Sequence, residues 1–349
     1  MSKTMTDEPT LQQKAIRALE DCLGQVPFVQ VKDIGREGPD LLAELSLDGG
    51  KQKLRAEVKN SGEPRWARQA ANSLFRYVQE NPGTYPVFMA PYISPAAGQI
   101  CEQEGLGFVD FSGNCHLSFA RVFVHQEGRP NKFARSARLR SLYAPKATRV
   151  LRVLLNDPQR TWRLVALAQE ASVSLAMAHH VKELLEDREW VASDKSGLRL
   201  VKPGALLSSW AENYASAKNR AHSFYSEQRV KDSAQAIADC CRQQGVAYGL
   251  TGLAGADRLA PYARYQRVEA YVVGDIERIA DLIGLKPVPS GANVSLIEPY
   301  DAGVLYGASE VEGAAVVSPV QVYLDLVSAG SRGEDAARFL LEKVIQPRW

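Results

Sequence analysis

The 349-residue chain has little of what builds metal cages or disulfide frameworks: five cysteines and five histidines. Cys22, Cys101, Cys115, Cys240 and Cys241 are odd in number, scattered, and include no Cys-x-x-Cys pair. That argues against a disulfide scaffold or zinc ribbon and for small buried apolar groups. His179 and His180 are adjacent, so a helix would turn them toward different parts of its surface rather than onto one ion. Structural zinc is not expected. The chain also has no uninterrupted apolar run of about 18 residues, the length a membrane-spanning helix needs. Met1 to Gln12 is polar and acidic rather than basic then apolar, which is not the pattern of a secretory leader. A cytoplasmic protein without a membrane partner is the expectation.

Strong net charge is missing as well. The formal balance is only +2, so bulk electrostatics give no reason to expect nucleic acid, and the distribution of charge has to decide. What is present is an ordinary folded composition, 45% hydrophobic and 23% charged, on a chain longer than one core usually supports. Two or three domains follow. From Arg129 to Arg163 ten basic residues (Arg129, Lys132, Arg135, Arg138, Arg140, Lys146, Arg149, Arg152, Arg160, Arg163) face one acid, Asp157. From Val246 to Trp349 nine basic residues face thirteen acids. A phosphate backbone attracts the first segment and repels the second, because each neutralised phosphate releases a counterion.

The basic segment runs into a helix-turn-helix pattern. Lys146 to Leu155 has apolar residues at helical spacing and stops at Asn156-Asp157-Pro158. Leu164 to Ala171 gives two further turns, and Ser172-Val173-Ser174 interrupts them with cap-favouring residues. After Ser174, Met177, Val181, Leu184 and Leu185 form one core-facing stripe, while Ala176, His179, His180 and Glu183 form another. Two strand-like runs, Trp190 to Ser193 and Leu198 to Val201, flank Asp194-Lys195-Ser196-Gly197, a hairpin-turn composition. This order predicts a winged helix-turn-helix over residues 146–205, with double-stranded DNA as the partner. Ser174, Ala176, Met177, His179 and His180 are the candidate groove contacts, and Arg149, Lys182, Lys195 and Arg199 the candidate phosphate contacts. A symmetric homodimer on a palindrome suits the small surface one such module buries. The same module used for protein contact, and a solvated basic linker over residues 129–145, are the blander alternatives.

Ahead of it, residues 1–128 read as an α/β domain. A helix spans Leu11 to Leu23, strands are expected at Phe28 to Val31, from Pro39-Asp40 to Leu45 and at Lys53 to Lys59, and a helix at Arg65 to Asn81. A strand at Pro86 to Tyr92, a helix at Pro95 to Glu104 and strands within Gly107 to Phe119 complete it. Residues two apart share a strand face, so Glu57 and Lys59 point together, and a turn-linked neighbour strand would bring Asp40 beside them. Two carboxylates and a lysine in this order resemble the PD-(D/E)xK nuclease superfamily. The resemblance implies a restriction-endonuclease-like fold in which Asp40 and Glu57 hold Mg²⁺ and Lys59 helps the attacking water, with Glu20 as a further candidate acid. A nuclease fold reused as a noncatalytic domain fits the same pattern, since fold does not establish activity.

Residues 206–245 read as a helical connector and residues 246–349 as a third, α/β domain. Its opening, Val246 to Arg258, is a Gly-rich strand-to-helix turn without a P-loop lysine; Gly249, Gly252 and Gly255 read as packing and turn positions. Glu269 stands alone where a catalytic pair would be needed. A strand from Ala314 leads to two amphipathic helices. The succession of a winged helix, Tyr248-Gly249-Leu250-Thr251-Gly252 and Val317 to Leu326 (VSPVQVYLDL) resembles the AbiEi-type antitoxins of type IV toxin–antitoxin systems. That resemblance implies a nucleotidyltransferase-like C-terminal fold, repression of the protein's own operon through the winged helix, and a nucleotidyltransferase-like toxin as partner. The sequence reading as a whole is thus a multidomain α/β protein with two functional alternatives: a DNA-binding regulator or antitoxin needing no cofactor, or a Mg²⁺-dependent DNA nuclease.

Overall fold

The computed structural model describes residues 10–38, 40–133, 142–214, 219–261 and 265–349. Pro39 and the linker arginines Arg135, Arg138 and Arg140 lie outside them. Two compact units are present: Met1–Leu139 with Glu186–Glu189, and Arg140–Leu185 with Trp190–Trp349.

The first unit is built on one seven-stranded sheet in sequence order. Helix α1 (Leu11–Leu23) starts from a Thr10–Gln13 capping box and buries Ala15, Leu19, Cys22 and Leu23, positions that share one helix face. Strands β1 (Val29–Glu37), β2 (Asp40–Leu47) and β3 (Gly50–Val58) form an antiparallel meander. Two crossovers follow, α2 (Pro64–Glu80) to β4 (Thr84–Ala90) and α3 (Pro95–Glu104) to β5 (Gly107–Asp110), both giving parallel pairs. Strands β6 (Cys115–Phe119) and β7 (Val122–Gln126) close the sheet as an antiparallel hairpin. The sheet is covered on both faces. Leu54, Ala56, Val58, Val87 and Met89 pack with α1, whereas Phe88, Ala90 and Phe108 pack with α2 and α3. Alternate residues of β4 thus serve opposite cores, which is why its sequence is continuously apolar instead of alternating. The turn after β5 is organised by Asp110, whose Oδ1 accepts from the backbone N–H groups of Ser112, Gly113 and Asn114.

The second unit begins with α4 (Pro145–Asn156), α5 (Leu164–Glu170) and α6 (Leu175–Asp187), followed by the two-stranded hairpin β8 (Val191–Ser193) and β9 (Leu198–Leu200). An isolated antiparallel bridge from Trp162 to Leu198 brings a third segment alongside the hairpin. After α7 (Pro203–Glu212) the sequence reading of an all-helical connector fails, because β10 (Arg220–Tyr225) is a strand. Only Phe224 of β10 is buried, so the segment has no apolar alternation to reveal it; its pairing with two other strands makes it a strand. Helix α8 (Val230–Gln244), β11 (Ala247–Thr251), α9 (Gly252–Leu259), β12 (Val268–Val273), α10 (Ile276–Leu282), β13 (Lys286–Pro287) and β14 (Val294–Glu298) come next. Strands β15 (Ser309–Val311) and β16 (Ala314–Val316) and helices α11 (Pro319–Ser328) and α12 (Ser331–Leu340) complete the unit. The seven strands order as β13-β10-β14-β12-β11-β16-β15. One continuous apolar core runs from Leu142 through the helical module to Ile345. The helical module and the C-terminal sheet, read from the sequence as separate domains, therefore share a core.

Candidate functional sites

In the first unit, the β2–β3 register sets Leu41 opposite Ala56, which carries Asp40 to the position beside Glu57. Glu57 points away from the α1 side and is 4% exposed. Its Oε1 lies 2.7 Å from Lys59 Nζ, while its Oε2 is buried with no hydrogen-bond partner among the described residues. An orphaned carboxylate oxygen is costly and calls for an explanation. Asp40 pairs with Arg55 at 2.9 Å, and Arg55 is held over the Tyr77 ring of α2 at 4.4 Å. Burial, and next the Glu57 carboxylate, push the Asp40 carboxyl above its usual range, with Lys59 opposing. The structure thus brings Asp40, Glu57 and Lys59 together. Glu20 is exposed on α1, with no hydrogen bond or ion pair to the three among the described residues. Arg55, which the sequence reading passed over, completes the cluster.

In the second unit, α6 buries Ala178, Val181, Leu184 and Leu185 and exposes Leu175, Ala176, His179 and Glu183, with Ser174 exposed just ahead of it. Ser174 Oγ accepts from Met177 N–H at 3.2 Å, capping the first turn. Met177 is half-buried and packs against the core, so its thioether belongs to the inward stripe. His180 and Lys182 are half-buried and each already engages a neighbour. In the hairpin, Lys195 and Arg199 are exposed, and the turn is fixed by Asp194, whose Oδ1 accepts from Ser196 N–H at 2.7 Å.

The basic segment divides more sharply than its sequence suggests. Lys146, Arg160 and Arg163 are exposed, with Arg160 stacked 3.8 Å over the Trp162 ring. Arg149, read as a phosphate contact, instead makes a two-pronged pair with Asp301, Nε to Oδ1 at 2.8 Å and Nη2 to Oδ2 at 2.9 Å. Arg152 is 1% exposed and donates to Gln321 Oε1 at 2.6 Å while lying 4.9 Å over Trp210. Arg152 is closed off from solvent, and the half-buried Arg149 has its guanidinium taken up by Asp301. Both fix α4 to the C-terminal part, with a carboxylate or amide that only the fold brings near.

Gln321 leads into a polar cluster that joins the two motifs Tyr248–Gly252 and Val317–Leu326. The Asp325 carboxylate accepts from Tyr214 (2.8 Å), Tyr271 (3.0 Å), Gln321 Nε2 (2.9 Å) and the Thr251 hydroxyl. Burial pushes this carboxyl above its usual range although four donors pull it down. Gly252 has φ +57°, and a Cβ there would lie 2.1 Å from Glu269 Oε2. Asp325 is enclosed by its four donors and Glu269 lies 3.9 Å from Arg267, so the cluster locks strands to helices.

The two units together define a mixed α/β chain with an acidic centre in one part and an exposed helix-and-hairpin face in the other. Residues 199–346 match the family model described as "Transcriptional regulator, AbiEi antitoxin, Type IV TA system". No curated protein matches the chain. Among solved structures, "Structure of EndoMS in apo form" is similar at 17% identity and TM-score 0.23, over 30% of this chain and 47% of that one. The chain therefore spans about half the length of that structure. No helix of the described residues is long and apolar enough to cross a membrane.

Proposed function

We propose that the protein is a DNA-binding transcriptional regulator of the AbiEi antitoxin kind, which represses its own operon through residues 146–205 acting as a winged helix-turn-helix. The observation that carries this reading is the partition of α6. Its apolar stripe is closed into the core, while Ser174, Ala176 and His179 face outward beside a hairpin bearing Lys195 and Arg199. A helix with that exposed face can enter a major groove with its first turns nearest the bases, and the hairpin cations then meet phosphates. The family match over residues 199–346 supports the regulator and antitoxin part of this reading, and the second partner we propose is a nucleotidyltransferase-like toxin. A homodimer would place two such faces on one operator.

The test is binding of the full-length protein to the duplex upstream of its own reading frame, by fluorescence anisotropy. Lys195→Ala/Arg199→Ala should weaken binding, and Lys59→Ala should leave it unchanged. Equal, weak binding of both variants to any duplex would sink the reading.

A second reading is supported by the partnerless Oε2 of Glu57: a Mg²⁺-dependent DNA nuclease of the PD-(D/E)xK type. The residues fit such an ion, since Asp40 and Glu57 offer the oxygen donors a hard cation prefers. Bound there, Mg²⁺ would act as a Lewis acid on a phosphate and its attacking water. Lys59, at 2.7 Å from Glu57 Oε1, would hold that water's position and neutralise developing charge. Mg²⁺-dependent cleavage lost in Lys59→Ala with DNA binding intact would establish it; no cleavage by the unaltered protein would remove it.

A further inference from the structure

The first unit carries a second group of ligand atoms, apart from the acidic centre. His116 on β6 and His125 on β7 are direct cross-strand partners, and their Nδ1 atoms lie 3.1 Å apart. Glu102, on α3, places Oε1 3.7 Å from His116 Nδ1 and 4.0 Å from His125 Nδ1. We propose that Glu102, His116 and His125 form a transition-metal site, with Zn²⁺ as its ion and water in the remaining position.

Ligand atoms of a tetrahedral shell with bonds of about 2.0–2.1 Å stand roughly 3.3–3.4 Å apart. The three separations, 3.1, 3.7 and 4.0 Å, bracket that spacing, the longest needing a shift of the Glu102 side chain by well under 1 Å, and the atoms come from three different elements. Two imidazole nitrogens and one carboxylate suit Zn²⁺ and its borderline-soft neighbours and disfavour Mg²⁺, which selects oxygen. The rings are held in place without a metal: Phe123 stacks with His125 at 13° and meets His116 edge-on, while Phe108 stacks with His116. Glu127 Oε1 lies 3.6 Å from His125 Nε2, where an outer carboxylate would set the ring tautomer and raise its basicity. Bound ion would tie the β6–β7 hairpin to α3, joining the last strands of the sheet to the helix of the second crossover. The histidine count alone could not suggest this. His116 and His125 are nine residues apart and meet only through hairpin register, and Glu102 reaches them only through packing.

The test uses full-length protein freed of metal with a chelator and titrated with Co²⁺, then Zn²⁺. One equivalent of Co²⁺ should bind with the visible absorption of a four-coordinate centre, be displaced by Zn²⁺, and raise the thermal midpoint. Glu102→Gln, His116→Ala and His125→Ala should each weaken binding at least tenfold, and Glu127→Gln about tenfold. Asp40→Asn and His179→Ala/His180→Ala should leave it unchanged. Glu102 and His125 are exposed, so their variants keep the fold and remain informative if His116→Ala does not. Absence of one-equivalent uptake, unchanged affinity in Glu102→Gln and His125→Ala, or loss of binding in Asp40→Asn would overturn the proposal.

Discussion

Replacing Lys195 and Arg199 together by alanine is expected to change the salt dependence of DNA binding, whereas replacing Arg152 by methionine is not. The two hairpin cations are exposed, and each phosphate they neutralise contributes about 0.9 to the slope of log affinity against log salt. Losing both contacts should flatten the slope by about 1.8, so that between 50 and 200 mM salt the affinity falls roughly tenfold less steeply than in the unaltered protein. Arg152 belongs to the same basic segment but is 1% exposed and hydrogen-bonded to Gln321 at 2.6 Å. A phosphate cannot reach it. Its removal strands Gln321 Oε1 and empties part of the core, a loss of about 2–4 kcal/mol, read as a lower thermal midpoint with an unchanged salt slope. The assay is fluorescence anisotropy of full-length protein on one labelled duplex across a salt series, with circular dichroism melts alongside. If Arg152→Met flattens the slope as much as the hairpin pair does while remaining folded, the division into internal and surface cations is wrong.

Asp301→Asn should lower the stability of the second unit by about 1–3 kcal/mol, because it takes the charge from the carboxylate pairing Arg149 and weakens both short hydrogen bonds; a thermal melt measures it. For Asp325 the folded carboxyl titrates above its unfolded value, so the folded state binds more protons. Its contribution to stability is then fully present below the unfolded value and is lost as pH rises through the folded one. Asp325→Asn should flatten that part of the stability–pH curve in urea unfolding, and an unaltered curve would refute the assignment. Gly252→Ala forces a side chain into φ +57° and against Glu269, which should cost about 1–3 kcal/mol by the same melts.

Much of the chain was readable locally. Apolar spacing located α1, α2, α4 and α6, turn residues located the β8–β9 hairpin, and the two-residue period of a strand put Glu57 and Lys59 on one face, with Asp40 arriving through register. These features depend on neighbours in sequence, where periodicity and cap chemistry act directly. Strand β10 escaped because its one buried residue, Phe224, leaves no pattern. The C-terminal glycines read correctly as turn and packing positions, but the residues they approach were invisible.

Charge shows the limit most clearly. The sequence by itself determined that ten cations crowd between Arg129 and Arg163, because composition is a local property. Only the tertiary structure decided which of them face solvent. Arg149 meets Asp301 across 152 residues and Arg152 meets Gln321 across 169, and no window along the chain contains both partners. Whether a guanidinium is free for phosphate depends on what the fold places within about 3 Å of it, since a short charge-assisted hydrogen bond outweighs any attraction at longer range.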